Sequence, residues 1–210
     1  FYFALDDGLY FIRNNGKSGF ICHHILVNNL NMISSGEGQL IVGTEHGAFI
    51  YSTKTGKMKC ITKSISVLSS FFDAPTRRLW LGSFHHGIKV YDTRSWKEIP
   101  MPALASLPKT PVRSIERMNT STLLFGIDGA GVYASLRDGK AAWLLFNAED
   151  KTNNALHGNG IYSICTDRFG DIWMGSYSGG IDMAIPIGHV MEIVQHEYLN
   201  DQSLVNSCVN

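Results

Sequence analysis

Short apolar runs that end in a small residue recur along the chain and predict a repeated β-hairpin. The runs LIV, LWL, LLF and IWM are each followed by a glycine. These glycines are Gly43, Gly82, Gly126 and Gly175, and Ala4 takes the same place in the opening copy. A second glycine follows within five residues, at Gly8, Gly47, Gly87, Gly131 and Gly180. Copies lie 39 to 49 residues apart. Short strands repeating at roughly 40–45 residues are typical of a β-propeller, with one four-stranded blade per repeat.

The composition of each copy fits strands that are covered on both sides. A blade has neighbours on both faces, so its inner strands are expected to be apolar throughout rather than alternating. The first glycine leaves room where a neighbouring group comes close, and the second supplies positive φ in the turn between strands. We therefore predict an all-β chain built of four-stranded antiparallel blades.

The repeat divides the chain into five blades and the start of a sixth. The predicted limits are about 1–27, 28–61, 62–100, 111–146 and 160–195, with blade 6 opening at about 196–210. The fourth strand of blade 3 is predicted at Trp96–Ile99. The connection 100–111 contains four prolines and is expected to be a stiff surface loop. We expect the whole chain, 1–210, to be a partial β-propeller and an internal segment of a longer protein.

Charge and cysteine content narrow the function classes. The chain has 18 Lys and Arg against 18 Asp and Glu, which argues against a nucleic-acid partner held by a general basic field. No run approaches eighteen apolar residues, so no membrane contact is expected within this segment. The four cysteines show no CxxC spacing, so we expect no zinc and no other cofactor, and we predict that they are buried without disulfide partners.

Polar and aromatic residues concentrate in the turns between the second and third strands and in the connections between blades. Because strand direction alternates, both kinds of loop open on the same face. Amides, carboxylates and imidazoles beside aromatic rings suit a small-molecule or oligosaccharide ligand. The candidates are His46, Phe84, His85, His86, Asp128, Tyr177, Asn154, His157 and Asn159. The adjacent pair His85–His86 is a poor metal site, because neighbouring strand residues point to opposite faces.

No catalytic constellation is predicted for this segment. The chain lacks a Gly-x-Ser-x-Gly nucleophile motif. Asp167, Asp171 and Asp182 lie near turns or strand ends, and no two of them are placed as an acid–base pair. A propeller enzyme, either a polysaccharide lyase or a glycosidase, stays open as an alternative, as does a protein-interaction propeller.

The segment ALHGNGIYSICTDRFGDIWMGSYSGGI, Ala155 to Ile181, resembles the two-component regulator propeller repeat. That repeat has a Leu-containing lead, an acidic residue, a glycine turn, then Trp-x-Gly and a glycine pair. EYLNDQSLVNSCVN, Glu197 to Asn210, resembles the start of the next copy. The other copies match less well, since those beginning near Ala4, Gly43 and Gly126 lack the Trp.

The resemblance implies the periplasmic sensor region of a Bacteroidetes-type hybrid two-component sensor histidine kinase. In that family a propeller has seven blades, and the kinase lies elsewhere in the parent chain. The resemblance further implies a non-catalytic segment that detects an oligosaccharide, signals through a phosphorelay and forms a homodimer through the parent protein.

Overall fold

The computed structural model describes residues 1–5, 7–14, 20–25, 29–151, 155–187 and 190–194. Blade 1 contributes β1 (Tyr2–Leu5), β2 (Gly8–Asn14) and β3 (Phe20–Ile25). Blade 2 contributes β4 (Leu30–Gly36), β5 (Gln39–Thr44), β6 (Gly47–Ser52) and β7 (Met58–Lys63). Blade 3 contributes β8 (Val67–Asp73), β9 (Arg78–Ser83) and β10 (Ile88–Asp92). Blade 4 contributes β11 (Val112–Arg117), β12 (Thr122–Ile127), β13 (Gly131–Leu136) and β14 (Ala142–Phe146). Blade 5 contributes β15 (Ile161–Thr166), β16 (Ile172–Ser176), β17 (Gly180–Ile187) and β18 (Val190–Val194).

The strands of each blade pair antiparallel and in chain order, which confirms the predicted all-β propeller architecture. The innermost strands β4, β8, β11 and β15 lie next to one another around the propeller axis. The predicted opening of a sixth blade at about 196–210 lies outside the described residues. No helix in the described part of the chain is long and apolar enough to cross a bilayer.

The apolar core is divided among the interfaces between successive blades. Between blades 3 and 4, for example, Trp80 of β9 packs against Phe125 of β12, with ring centroids 6.0 Å apart. The second strands β5, β9 and β12 are buried on both faces, as their apolar runs predict. In β16 buried and half-buried residues alternate, because no described blade covers the far face of blade 5.

In blades 2, 3 and 4 the first glycine of the repeat lies where the next blade comes close. A Cβ at Gly43 would lie 3.0 Å from Val67, and one at Gly82 would lie 2.8 Å from Val112. A Cβ at Gly126 would lie 2.8 Å from Ile161. Each of these partners is the β-branched residue that opens the following innermost strand. At Gly43 and Gly82 a Cβ would also lie 2.7 Å from Met32 and 2.2 Å from Ser69, on the innermost strand of the same blade. These glycines therefore leave room for the next blade and for their own innermost strand, which is the close approach predicted from the sequence.

Blade 3 departs from the predicted four strands. The fourth strand expected at Trp96–Ile99 is reduced to one bridge between Tyr91 and Glu98. The carboxylate of Asp92 accepts hydrogen bonds from the N–H groups of Arg94 and Ser95, and Trp96 follows with a φ of 56°. This local turn and the nearby Pro100 stop the strand before it can extend.

The connection 100–111 is not the simple surface loop that its prolines predict. It forms a 3-10 helix at Pro102–Ser106. Leu104 and Leu107 are buried in the core between blades 3 and 4. These leucines anchor the connection beside blade 3, where the fourth strand is missing.

The cysteines also correct an expectation. Cys22, Cys60 and Cys165 are free, but Cys22 and Cys165 are exposed rather than buried. Cys22 lies on the outer strand β3 of blade 1. Cys165 lies on β15, on the face of blade 5 that no described blade covers. Cys208 lies outside the described residues.

Candidate functional site: the axial rim

Every innermost strand of blades 2 to 5 carries a β-bulge at its second residue. The pairing with the neighbouring strand skips one position in β4, β8, β11 and β15. The extra residues are Asn31, Leu68, Arg113 and Tyr162. A bulge leaves its extra residue outside the ladder and re-aims the side chain. The repeat thus places one re-aimed side chain per blade beside the propeller axis.

A second residue from each blade is tied by its backbone to the segment that leads into the bulge. It is the residue two places after the first glycine, in the turn between the second and third strands: Glu45, Phe84, Asp128 and Tyr177. Its backbone N–H donates to the carbonyl two residues before the bulge residue. The acceptors are Asn29, Ser66, Pro111 and Gly160, at 3.1, 2.9, 2.9 and 2.8 Å. These four turn residues and the four bulge residues are called the axial rim below.

A buried hydroxyl holds most of these turns. Thr44, Ser83 and Ser176 end their strands and donate to the carbonyl of the glycine that closes the turn, over 3.0, 2.7 and 3.3 Å. Each hydroxyl also accepts a backbone N–H from within the turn. Blade 4 has Ile127 at this position, and its turn carries one further glycine, Gly129, with a φ of 77°. Hydrogen bonds within the turns therefore hold the backbone that carries the rim residues.

Blades 4 and 5 form a connected polar and aromatic cluster on the rim. The Nε and Nη2 atoms of Arg113 each lie 3.4 Å from Oδ2 of Asp128. The guanidinium also lies over the ring of Tyr162, 4.5 Å from its centroid. The ring of Tyr177 follows, with its centroid 5.4 Å from that of Tyr162. Tyr162 is 40% exposed and Tyr177 is 72% exposed, so both present ring surface to solvent.

Blade 2 supplies a polar part of the rim, and blade 3 supplies an apolar part. Nδ2 of Asn31 donates to Oγ of Ser66 and to the carbonyl of Val67, both at 3.1 Å, and so links the two blades. Glu45 accepts a hydrogen bond of 2.7 Å from Asn29, and these residues line a cleft of about 320 Å³. In blade 3 the rim positions are apolar, with Leu68 half-buried and Phe84 exposed.

The structure places three of the nine predicted site residues on the rim, namely Phe84, Asp128 and Tyr177. His85 lies beside the rim, with its ring 4.4 Å from that of Phe84. His46 is exposed in the turn after Glu45. His86 is exposed in the turn and lines a separate cavity of about 230 Å³ next to the connection 100–111. Asn154 lies outside the described residues.

The remaining two predicted residues hold the connection between blades 4 and 5. Oδ1 of Asn159 accepts the N–H of Ala148 at 2.7 Å, and its Nδ2 donates to Glu149 at 2.8 Å. Nδ1 of His157 lies 2.8 Å from Oδ1 of Asp182, and the backbone N–H of His157 donates to Oδ2. Both side chains thus fasten the loop that ends at Gly160, next to the rim.

Two rim residues with prominent contacts, Arg113 and Tyr162, are absent from the predicted set. The sequence does carry a signal for them. The innermost strands were expected to be apolar on both faces, yet VRSIE and IYSIC place a polar or aromatic residue second. The same offset holds Asn31 in β4, whereas β8 has the apolar Leu68 there. A polar or aromatic residue at one offset in three of four innermost strands indicates a re-aimed position.

Metal binding finds no support in the described part of the chain. No three His, Cys, Asp or Glu side chains there are grouped so that they could hold a metal ion. The ring of His85 lies 4.4 Å from that of Phe84, and His86 is among the residues that line the separate cavity.

Replacing Asp182 is expected to change the pH dependence of stability. Burial raises the pKa of Asp182, and the hydrogen bonds from His157 oppose that rise without cancelling it. The folded protein then holds this proton more tightly than the unfolded chain does. Its contribution to stability is therefore full below about pH 4 and is lost as the pH rises through the raised pKa. Asp182→Asn should be more stable than the wild type at pH 7, and the difference should vanish below about pH 4.

Urea denaturation at several pH values measures this effect. His157→Ala serves as the comparison, because it removes the ring that offsets burial of Asp182 and should steepen the loss of stability at neutral pH. A wild type more stable than Asp182→Asn at pH 7 would show that the pairing with His157 outweighs burial.

Part of the chain matches a known family of repeats. Residues 155–178, which include Tyr162 and Tyr177, match the family model of the two component regulator propeller, so the resemblance of this segment is confirmed. No curated protein matches the chain.

Solved structures share the fold. One is the extracellular domain of a protein described as a one-component system from B. thetaiotaomicron, with a TM-score of 0.69 and 18% identity over 94% of this chain and 26% of that chain. Another is the extracellular domain of a protein described as a hybrid two-component system from B. thetaiotaomicron, with a TM-score of 0.64 and 18% identity over 98% of this chain and 34% of that chain. A computationally designed protein, Ika4, is similar with a TM-score of 0.55 and 8% identity, over 73% of this chain and 89% of the design.

The chain thus spans about a quarter to a third of the length of the two B. thetaiotaomicron chains. At identities this low, and with a designed protein among the similar structures, the likeness establishes the propeller fold.

Proposed function

We propose that this chain is a non-catalytic, ligand-sensing propeller segment of a hybrid two-component sensor histidine kinase, and that it detects an oligosaccharide. The match of residues 155–178 to the regulator propeller model supports the two-component context. The similar extracellular domains from B. thetaiotaomicron support a position outside the cytoplasm, which we propose to be the periplasm.

The axial rim is the observation that carries the sensing role. Each of four blades contributes one bulge residue and one turn residue to the rim, and the same backbone hydrogen bond holds the turn each time. Binding groups concentrate on loops that a rigid scaffold positions. The scaffold repeats while the rim side chains differ from blade to blade. That difference provides a selective surface on a repetitive frame.

The chemistry of the rim favours a sugar. Phe84, Tyr162 and Tyr177 expose aromatic ring surface on which the apolar face of a pyranose can stack. Arg113 supplies hydrogen-bond donors, and Asp128 and Glu45 supply acceptors, for the hydroxyls around the ring. Combining an apolar platform with fixed polar groups is how small polar ligands are oriented.

The proposed signalling role also requires partners beyond the ligand. In this proposal the kinase lies elsewhere in the parent chain, and a homodimer forms through the parent protein. Sequencing the source DNA on both sides of this segment tests it directly. Further repeats, a membrane span and a histidine-kinase core would support the proposal. A propeller followed by a stop codon or by a catalytic module would overturn it.

Removing the exposed ring of Tyr177 is expected to weaken sugar binding about tenfold, the effect of losing one stacking contact of about 1.4 kcal/mol. Isothermal titration of the full protein with a panel of oligosaccharides measures the affinity of wild type and Tyr177→Ala. Trp143→Ala is the matched control, because Trp143 is 40% exposed but lies on the outer strand β14. It should bind like the wild type.

Chromatography of the same mixtures tests the non-catalytic assignment. Recovery of the intact oligosaccharide is expected. Cleavage of the sugar by the wild type would instead favour a lyase or glycosidase, and equal losses in Tyr177→Ala and Trp143→Ala would place the binding site away from the rim.

A further inference from the structure

We infer that the axial rim selects an uncharged sugar through a vicinal diol, and that Asp128 rejects acidic sugars such as uronates. This inference rests on the proposed function, since it assigns a ligand class to the same site. Its basis is the loosely paired couple Arg113–Asp128, which lies between the aromatic rings of blade 5 and the apolar positions of blade 3.

The pair is close enough to neutralise charge but leaves hydrogen-bonding capacity unused. Nε and Nη2 of Arg113 share the single oxygen Oδ2 of Asp128, each at 3.4 Å, which is long for an ionic hydrogen bond, and Nη2 also lies 3.4 Å from the hydroxyl of Tyr162. Within the described residues, Oδ1 of Asp128 and Nη1 of Arg113 make no hydrogen bond. The two side chains are 26% and 28% exposed, so a ligand can reach them.

A vicinal diol matches what the pair offers. Each sugar hydroxyl can both donate and accept a hydrogen bond. One hydroxyl can donate to the free oxygen of Asp128 while its neighbour accepts from the guanidinium of Arg113. Hydrogen bonds to ionised groups are stronger than those between neutral groups, and the paired geometry adds direction. The exposed ring of Tyr177 provides the stacking surface next to this point.

A sugar that carries a carboxylate would meet less favourable electrostatic interactions at the rim than a neutral sugar would. The eight rim residues include one basic side chain, Arg113, and two acidic ones, Asp128 and Glu45. The positive charge is already compensated by Asp128, and it also lies over the ring of Tyr162. An acidic ligand would approach Asp128 as a like charge, and such juxtaposition disfavours the wrong partner.

The test uses pairs of ligands that differ only in charge. Each oligosaccharide of the panel is presented as the neutral glycan and after oxidation of its C6 hydroxyls to carboxylates. The full protein and its variants are titrated at low and at physiological salt, because charge selection weakens with screening. The wild type is expected to bind the neutral member at least about tenfold more tightly than the oxidised member.

Asp128→Asn keeps the size of the side chain and one acceptor oxygen but removes the charge. We expect its preference for the neutral glycan to fall to about threefold or less, with most of the change in the affinity for the acidic member. Glu98→Gln is the matched control, because it removes one exposed negative charge from the outer edge of blade 3, off the rim, and should leave the preference unchanged. Arg113→Gln should weaken both members.

The outcomes separate this inference from the proposed function. A wild type that prefers the oxidised glycans, or an Asp128→Asn variant with unchanged preference, would overturn the diol assignment and leave oligosaccharide sensing standing. Binding of neither member of any pair would overturn the proposed function itself. Thermal unfolding of each variant shows whether a lost affinity reflects a lost fold.

Discussion

Asp73→Ala is expected to lower the free energy of unfolding by about 3 to 5 kcal/mol, the cost of leaving a buried charge without its partner. Asp73 ends β8 in blade 3 and its side chain is fully buried. Both carboxylate oxygens accept from Arg137 of blade 4, with Nε at 2.9 Å from Oδ2. Arg137 is itself only 11% exposed, so the substitution strands a guanidinium between two blades.

Urea denaturation of the purified protein measures the loss, and two variants define its origin. Asp73→Ala combined with Arg137→Met removes both charges and should recover part of the lost stability, since an apolar replacement of a buried pair is often neutral. Lys89→Ala breaks the exposed pair Lys89–Glu98, whose N–O distance is 2.8 Å, and should cost less than about 1 kcal/mol. An equal cost for Asp73→Ala and Lys89→Ala would contradict the assignment.

Asp73 also has one contact that its sequence predicts and one that it does not. Asp73 stands in the segment Asp-Ala-Pro-Thr and is predicted as a turn former, and it does accept a hydrogen bond from the hydroxyl of Thr76. Its stronger partner, Arg137, is 64 residues away in another blade. A turn depends on residues that are adjacent in the sequence and can be predicted from them. An ion pair between blades joins residues that are far apart in the sequence, so no local pattern predicts it.

The blades themselves could be predicted because each copy repeats the same physical constraint. A strand buried on both faces must be apolar throughout, and a glycine must stand where the next blade approaches. Blade 3 breaks the prediction after Asp92, where side-chain hydrogen bonds to two backbone N–H groups form a tight turn. The strand was predicted at Trp96–Ile99 from its apolar residues alone, and that prediction did not include the competing turn at Asp92.

Three of the eight rim residues belong to the set predicted from the sequence. Phe84, Asp128 and Tyr177 follow from their places in glycine-rich turns. Arg113 and Tyr162 do not, because a β-bulge depends on how two strands pair rather than on one strand alone. Their role in ligand binding, like that of the predicted turn residues, stays a prediction until the titrations are made.

Gly131→Ala is expected to cost about 3 kcal/mol or more, while Gly129→Ala two residues earlier should cost about 1 kcal/mol. Both glycines lie in the blade 4 turn that carries Asp128, and both have positive φ, at 90° and 77°. Their surroundings differ. A Cβ at Gly131 would lie 2.4 Å from the backbone carbonyl oxygen of Phe146, whereas a Cβ at Gly129 would meet nothing within 4 Å.

The comparison separates backbone strain from steric conflict. Both variants carry the strain of an L-residue at positive φ, so the excess cost of Gly131→Ala measures the close approach of β14 to this turn. A carbonyl oxygen at the end of a paired strand cannot swing aside as a flexible side chain would. The N–H of Gly131 also donates to Asn159 at 3.0 Å, so a shift of the turn would strain the connection that leads to the rim. Equal losses of stability in the two variants, measured by urea denaturation, would mean that β14 moves away from the turn at little cost and does not fix the position of Asp128.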